Sequence, residues 1–294
     1  MSAMEGSSRE AGGQGDIAWG RAVRARERAA RETATAERYD RLYAENGLPF
    51  HAEAAQRHHA TVKRHLTTAR LQESYARKMW AWAAKRPTPK PPPPDEHRPL
   101  FMAGVAEACG TRSAALTLVG EDLGQLAVAA SDHRARGAQD LEYVLNSGPG
   151  LDAVGSRRSV SASGAVLERR WPGYGSGLAD LGLSTVAALP LKAAGNCVGA
   201  LILFDPASQP TRSDTFDTVA RALLNGVLLG PDGDLDLYGG ADIRAVVHQA
   251  AGALSAQAGR SLPDCLALIK ARAFAHGESP EAVARRFLSG SMEL

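Results

Sequence analysis

A proline-rich segment divides this chain and limits what either side of it can form. Residues 87–99 read PTPKPPPPDEHRP. Because each proline removes a backbone donor and holds φ near a single value, neither a helix nor a central strand can run through this segment. We therefore predict an extended, semi-rigid linker between an N-terminal part and the rest of the chain. A ligand for a proline-recognition domain is an alternative interpretation.

The part before the linker shows helical spacing. Residues 1–15 are small and polar, and we expect them to be disordered. Between Asp16 and about Glu45, and again between about Phe50 and Ala84, apolar and alanine positions step by three and four, which indicates two long helices. For residues 16–86 the spacing predicts a helical hairpin or a dimerising coiled coil.

Three histidines on the second helix, His51, His58 and His65, are spaced by seven and so share one face. This spacing puts their rings about 10 Å apart along a helix, which is too far for one metal ion. We therefore interpret them as part of a solvated face and predict no metal site. A pH-sensing stripe is the alternative.

Charge is unevenly distributed along the chain. Residues 16–86 hold 15 Lys+Arg against 8 Asp+Glu, a net charge of +7, whereas residues 100–240 carry −5 and residues 241–294 carry +1. The basic N-terminal part could contact nucleic acid or an acidic surface. Our preferred interpretation is the solvated face of a helix rich in alanine and arginine.

The composition indicates a cytoplasmic protein that does not cross a membrane. No apolar run approaches the ~20 residues that a membrane helix needs, and the N-terminus lacks the features of a signal peptide. The three cysteines, Cys109, Cys197 and Cys265, are odd in number and far apart, so we interpret them as reduced thiols.

After the linker, residues 100–230 mix strand and helix signals. Apolar runs predict four strands, and three further segments predict helices. The strands are AALTLVGED (114–122), GQLAVAASD (124–132), TVAALPL (185–191) and VGALILFD (198–205), and the helices are MAGVAEACG (102–110), LEYVL (141–145) and SDTFDTVARALLNGVLLG (213–230). The order of these elements predicts an α+β fold with one antiparallel sheet and helices packed against it.

Two stretches of this region, LNSGPGLDAV and ERRWPGYGSGLADLGLSTVAALPLKAAGNCVGALILFD, resemble GAF domains of the actinobacterial type. The resemblance implies a sensor that holds a small molecule between the sheet and its covering loops, or a dimerisation module. It does not specify the ligand or any cofactor. Some GAF proteins reduce methionine sulfoxide with cysteines, but the residues around Cys109 and Cys197 do not match such a site, and we expect no enzyme.

Two aromatic residues, Trp171 and Tyr174, lie in the glycine-rich segment WPGYGSG. An aromatic side chain on a flexible loop can cover a ligand pocket, so both are candidate ligand-binding residues. They can equally fill the open side of the sheet. The sequence leaves these two alternatives open.

The C-terminal residues 236–294 predict three short helices with separate start and stop signals. Gly259 and Gly277 are helix-ending residues, while Ser261 and Ser279 stand where N-caps are expected. Because these caps agree with the apolar periodicity, the sequence predicts a self-contained three-helix module.

This module resembles an ANTAR domain, the RNA-binding output module of antitermination regulators. The matching stretches are HQAAGAL (248–254), DCLALIK (264–270) and PEAVA (280–284). A GAF domain followed by an ANTAR domain implies a signal-responsive homodimer that binds hairpin loops of a leader RNA. Where the family has a lysine, this chain has Ala251. The candidate RNA-binding residues are Arg244, Gln249, Lys270, Arg272, Arg285 and Arg286.

Two other functions remain open at this level. A degenerate module that only dimerises would leave a GAF-centred regulator that acts on another protein. A DNA-binding module would require a basic recognition helix, and the third helix offers only Arg285 and Arg286.

Overall fold

The computed structural model describes residues 2–84, 101–120, 123–193, 195–207, 214–229 and 243–293. The predicted proline-rich linker at 87–99 lies outside them. The chain divides into two units, the first comprising Met1–Ala108 with Asp214–Asp234 and the second Cys109–Ser213 with Leu235–Leu294. The predicted mixture of long N-terminal helices, an antiparallel sheet and C-terminal helices is confirmed. No helix among the described residues is long and apolar enough to span a membrane.

Two long helices, α1 (Ser2–Asn46) and α2 (Pro49–Ala84), form an antiparallel hairpin in the first unit. Small buried residues such as Ala22, Ala25 and Ala69 allow the helices to approach closely. Since α1 begins at Ser2, the segment 1–15 is helical from its second residue, which differs from the predicted disorder.

The histidine face of α2 turns toward α1. His51, His58 and His65 are half-buried, and Nδ1 of His58 lies 2.6 Å from Oε2 of Glu32. The His58 ring also stacks on Tyr39 with a centroid distance of 5.5 Å. The prediction of a solvated histidine face is therefore wrong, because these rings fill the weak, alanine-rich seam.

Two shorter helices, α3 (Phe101–Ala108) and α8 (Asp214–Ala222), pack on α2 in the same unit. A π-helical turn (Leu223–Leu228) continues α8. The Phe101 ring meets Tyr75 edge-on at 5.6 Å, and the Thr68 hydroxyl donates to the Ala222 carbonyl at 3.4 Å. The first unit is thus a helical bundle, in which the N-terminal hairpin packs with helices from both ends of the predicted 100–230 region.

The second unit is built on a five-stranded antiparallel sheet of order β2-β1-β5-β4-β3. Its strands are β1 (Ser113–Val119), β2 (Gln125–Ala130), β3 (Val160–Ser163), β4 (Thr185–Ala193) and β5 (Asn196–Phe204). Four of them were predicted, but β3 was missed because VSAS is short. The backbones of β1 and β5 approach so closely that a Cβ on Gly199 would lie 2.0 Å from the Thr117 carbonyl.

Four helices accompany the sheet: α4 (His133–Leu145), α5 (Pro149–Ser156), α6 (Ala165–Arg170) and α7 (Tyr174–Asp180). The sequence predicted only the last turn of α4. The start of α4 is fixed by Asp132, whose carboxylate accepts from the backbone N–H groups of Arg134 and Ala135. Side chains of these helices and of the strands form a common apolar core.

The C-terminal helices are α9 (Ile243–Ala258), α10 (Leu262–His276) and α11 (Pro280–Leu288). The predicted caps are confirmed, since Ser261 and Ser279 accept from the N–H groups three residues later and Gly277 ends α10 with φ of 60°. Apolar residues of all three helices are buried together, whereas Leu262 and Leu288 are exposed at the ends of their helices.

Candidate nucleic-acid interface

Arg244 lies near the start of α9, and its side chain is completely buried. Its Nε donates to Oε1 of Gln125 on β2 at 2.9 Å, and its Nη2 donates to Oδ1 of Asp140 on α4 at 3.0 Å. Nη1 pairs with Oε1 of Glu281 on α11 at 2.5 Å. The guanidinium carbon also lies 4.0 Å from the centroid of the Tyr143 ring. One arginine therefore joins the first and last C-terminal helices to α4 and β2.

This burial corrects the prediction that Arg244 contacts RNA. A side chain without exposed surface has no atom that can reach a phosphate or a base. Arg136 lies 2.9 Å from Glu281 and 3.1 Å from Asp140, so two arginines and two carboxylates form one cluster. Burial raises the pKa of Asp140, and the two guanidiniums oppose that rise. The charge of Arg244 is therefore balanced inside the protein by the carboxylates of Asp140 and Glu281.

Lys270 on α10 is half-buried, and its Nζ lies 4.0 Å from the centroid of the same Tyr143 ring. Burial, followed by the nearby Arg244 charge, lowers the pKa of Lys270. Within the described residues no carboxylate forms an ion pair with it. Lys270 is thus a partly desolvated cation held in place by an aromatic face.

The other four candidates lie on the exposed surface of the three helices: Gln249 on α9, Arg272 on α10, and Arg285 and Arg286 on α11. Arg286 forms an ion pair with Glu278. In the described part of the chain, Arg272 and Arg285 have no such carboxylate. The structure therefore presents an amide and two uncompensated guanidiniums, one residue on each helix.

The departure from the family pattern falls at a core position. Ala251 is completely buried and packs in the module core with residues including Val247, Ile269 and Ala273. A lysine here would place its ammonium among apolar side chains, which costs several kcal/mol unless it is paired. Alanine is therefore the residue that this packing accommodates at position 251.

Trp171 and Tyr174, the candidate ligand-binding residues, are both buried in the sheet core. Their rings meet edge-on with centroids 6.1 Å apart, and the Arg170 guanidinium lies 5.0 Å over the Trp171 ring. Neither side chain lies on an exposed loop that could cover a pocket. The structure thus favours the alternative in which these aromatic residues fill the open side of the sheet, and it corrects their assignment to a ligand site.

Sequence reasoning missed a chain of buried side-chain hydrogen bonds that starts at Arg244. Gln125 accepts from Arg244 and donates to Oε1 of Gln139 at 3.2 Å, and Gln139 donates to Oε2 of Glu142 at 3.0 Å. The other Glu142 oxygen accepts from the Leu151 N–H, at the start of α5, at 2.7 Å. These hydrogen bonds therefore connect the C-terminal helices to α5, which begins directly after Gly148.

Glu142 belongs to α4, but its carboxylate accepts a hydrogen bond from the first turn of α5, whose N-cap residue is Gly148. Its carboxylate is completely buried, and burial raises its pKa to about 7 despite hydrogen bonds from the backbone and Gln139. A Cβ on Gly148 would lie 2.6 Å from its Cγ, and one on Gly150 would lie 3.1 Å from its oxygens. The glycines of the GPG turn were a sequence signal of this close approach, but they did not indicate which side chain approaches.

The cysteines form no pair in the described residues, where all three are free thiols. Cys109 is buried, and burial raises its pKa to about 12. At neutral pH a thiol of this kind is protonated, and the thiol form is a poor nucleophile.

Comparisons with protein-family models, with curated proteins and with solved structures found no match to this chain. The resemblance to GAF and ANTAR domains therefore remains a prediction from the residues quoted above.

Proposed function

We propose that this chain is a cytoplasmic, non-enzymatic regulator that binds structured RNA and acts by transcription antitermination. In this proposal the C-terminal helices bind a pair of hairpin loops in a leader RNA and thereby prevent a competing terminator hairpin from forming. The sheet-bearing part acts as the sensor, with or without a small-molecule ligand. The sheet-bearing part also pairs two copies into a homodimer.

The exposed surface of the three C-terminal helices is the observation that carries the proposal. Their apolar residues form a common core, whereas Gln249, Arg272 and Arg285 are exposed. Guanidiniums bind RNA phosphates, and amides hydrogen-bond the edges of unpaired bases. Exposed side chains of these kinds suit recognition of an RNA loop.

The buried contacts of Arg244 supply a physical route for regulation. Because this side chain bonds to residues of β2, α4 and α11, a shift of α4 changes the packing of the C-terminal helices. A signal that favours one arrangement of α4 would therefore change the population of the RNA-binding arrangement.

A second candidate function is a regulator that acts through another protein. Phe274 is 63% exposed, and Leu262 and Leu288 are also exposed on the same helices. Exposed apolar side chains are typical of protein-binding surfaces. A DNA-binding function is less well supported, because Arg286 is engaged with Glu278 and leaves Arg285 as the uncompensated cation of α11 among the described residues.

A gel shift with a two-loop hairpin RNA at two salt concentrations tests the proposal. Full-length protein is compared with Arg272→Ala, Arg285→Ala and Lys270→Met, the last of which removes a charge but keeps an unbranched side chain on Tyr143. Each cation that contacts a phosphate contributes roughly one unit to the slope of log K against log salt, so its removal should lower that slope. Arg158→Ala, an exposed arginine before β3, is the matched control and should change nothing. Absence of binding by the wild-type protein at both salt concentrations overturns the proposal.

A further inference from the structure

A groove of about 800 Å³ lies in the second unit between α10 and the end of α4. Its walls are mainly apolar, with Leu145 and Leu151 on one side and Leu266 and Phe274 on the other. Both walls belong to the same unit. A concave, largely apolar site with a few polar groups is the usual form of a ligand-binding site.

The polar groups of this groove favour an anion. Lys270 and His248 line it, and no acidic side chain is found among its described lining residues. Lys270 is partly desolvated and lacks a carboxylate partner in the described structure, whereas Arg244 on the same Tyr143 ring is compensated by Asp140 and Glu281. An incoming phosphate would supply the counter-charge that Lys270 lacks.

The groove also offers a flat apolar surface and an amide. Phe274, one helical turn after Lys270, is 63% exposed, so one face of its ring is open to a ligand. Asn146 is an exposed rim residue with an amide that can both donate and accept. In addition, Tyr143 lines the groove, and its buried hydroxyl has no hydrogen-bond partner among the residues that the structure describes.

We infer that this groove receives one unstacked nucleotide of an RNA loop, with its base on Phe274 and its phosphate at Lys270. A nucleotide combines a planar apolar ring with an adjacent negative charge, which matches the two groups that lie one helical turn apart on α10. This inference rests on the proposed RNA-binding function and adds to it. It extends the RNA contact from the C-terminal helices to Asn146 and Leu151 of the sheet-bearing part.

The test uses full-length protein and the same two-loop hairpin, with 2-aminopurine at each loop position in turn. This base changes its fluorescence when it leaves one stack and enters another. With wild-type protein we expect a fluorescence change at one loop position. Phe274→Ala should abolish that change and weaken RNA binding about tenfold, as expected for loss of one base–aromatic stack. Phe274→Trp should retain both.

Leu288→Ala is the matched control, because Leu288 is also an exposed apolar residue of these helices but does not line the groove. It should bind RNA as the wild type does. Since Phe274 is mostly exposed, thermal unfolding of Phe274→Ala should match that of the wild type.

The outcomes separate this inference from the proposed function. RNA binding that is equal for wild type and Phe274→Ala, with no position-specific fluorescence change, overturns the nucleotide groove and leaves the RNA-binding function standing. Absence of RNA binding by the wild type overturns both, and the groove would then be a surface for an apolar protein segment.

Discussion

Arg244 and Glu281 form a buried ion pair that connects the first and last helices of the C-terminal module. Both side chains are almost entirely shielded from solvent, and each has a second charged neighbour, Asp140 for Arg244 and Arg136 for Glu281. Removing Arg244 from this cluster leaves two buried carboxylates with Arg136 as their remaining partner, which is far more costly than removing an exposed pair.

Arg244→Met should therefore destabilise the protein strongly. We expect a loss of about 3–5 kcal/mol in the free energy of unfolding, since Asp140 and Glu281 keep their charges but lose their main partner. Urea unfolding followed by circular dichroism measures it. Arg285→Met, an exposed arginine of α11, should change the stability by less than about 0.5 kcal/mol. Equal stability of the two variants would contradict the assignment of Arg244 to the interior.

Because of Glu142, the free energy of unfolding should decrease as the pH rises. Its pKa is raised from an ordinary 4.5 to about 7, so the folded state binds a proton that the unfolded state has released between these values. Stability should therefore decrease from about pH 4.5 to about pH 7 and then level off, by up to about 3 kcal/mol at 1.36 kcal/mol per pKa unit.

Glu142→Gln checks this pH dependence, because the amide cannot ionise and retains an oxygen for the Leu151 N–H. The difference in unfolding free energy between the two proteins should grow from pH 5 to pH 7.5 in favour of the variant. A difference that stays constant over this range would show that Glu142 does not titrate there.

Gly148→Ala should destabilise the turn before α5. Its Cβ would lie 2.6 Å from Glu142 Cγ, so the buried carboxylate would have to move away from the Leu151 N–H, at a cost of about 1–3 kcal/mol. Gly252→Ala in α9 is the opposite case, since its Cβ would meet no described atom within 4 Å. We expect that variant to gain up to about 1 kcal/mol from helix propensity. Thermal unfolding of both variants measures the contrast.

Tyr174→Phe distinguishes a core residue from a ligand contact. The Tyr174 hydroxyl is buried and finds no hydrogen-bond partner within the described parts of the chain, so its removal should leave stability unchanged or raise it by about 1 kcal/mol. Trp171→Ala should instead cost about 3–5 kcal/mol, because it leaves a large cavity in the sheet core. Denaturant unfolding measures both, and a Trp171→Ala variant as stable as the wild type would restore the lid interpretation.

The sequence predicted the helices and strands that are determined by interactions between residues close together in the chain. In the C-terminal module, Ser261, Ser279 and Gly277 mark helix ends because the caps involve residues only two to four positions away. Four of the five strands followed from apolar runs of ordinary length. The short β3 and the helices α5–α7 were missed, since each is stabilised mainly by contacts with distant residues.

The candidate site was predicted less well than the fold. Periodicity separates apolar from polar faces, but it does not indicate that an arginine such as Arg244 will be compensated by residues more than 30 positions away. The roles of Lys270 and Phe274 likewise depend on α4, which lies more than 100 residues earlier in the chain. Exposed Gln249, Arg272 and Arg285 agree with the expected surface because exposure does follow from periodicity.

The sequence by itself determined the long N-terminal helices, most of the sheet and the three capped C-terminal helices, because propensity, caps and apolar spacing act between near neighbours. Only the tertiary structure decided which charged side chains form ion pairs inside the protein and which can bind another molecule. Burial raises the free energy of an unpaired charge, so a buried Arg244 needs Asp140 and Glu281 as ion-pair partners. Whether these side chains come into contact depends on how α4, α9 and α11 pack. The same packing leaves Lys270 beside a groove without a carboxylate partner among the described residues.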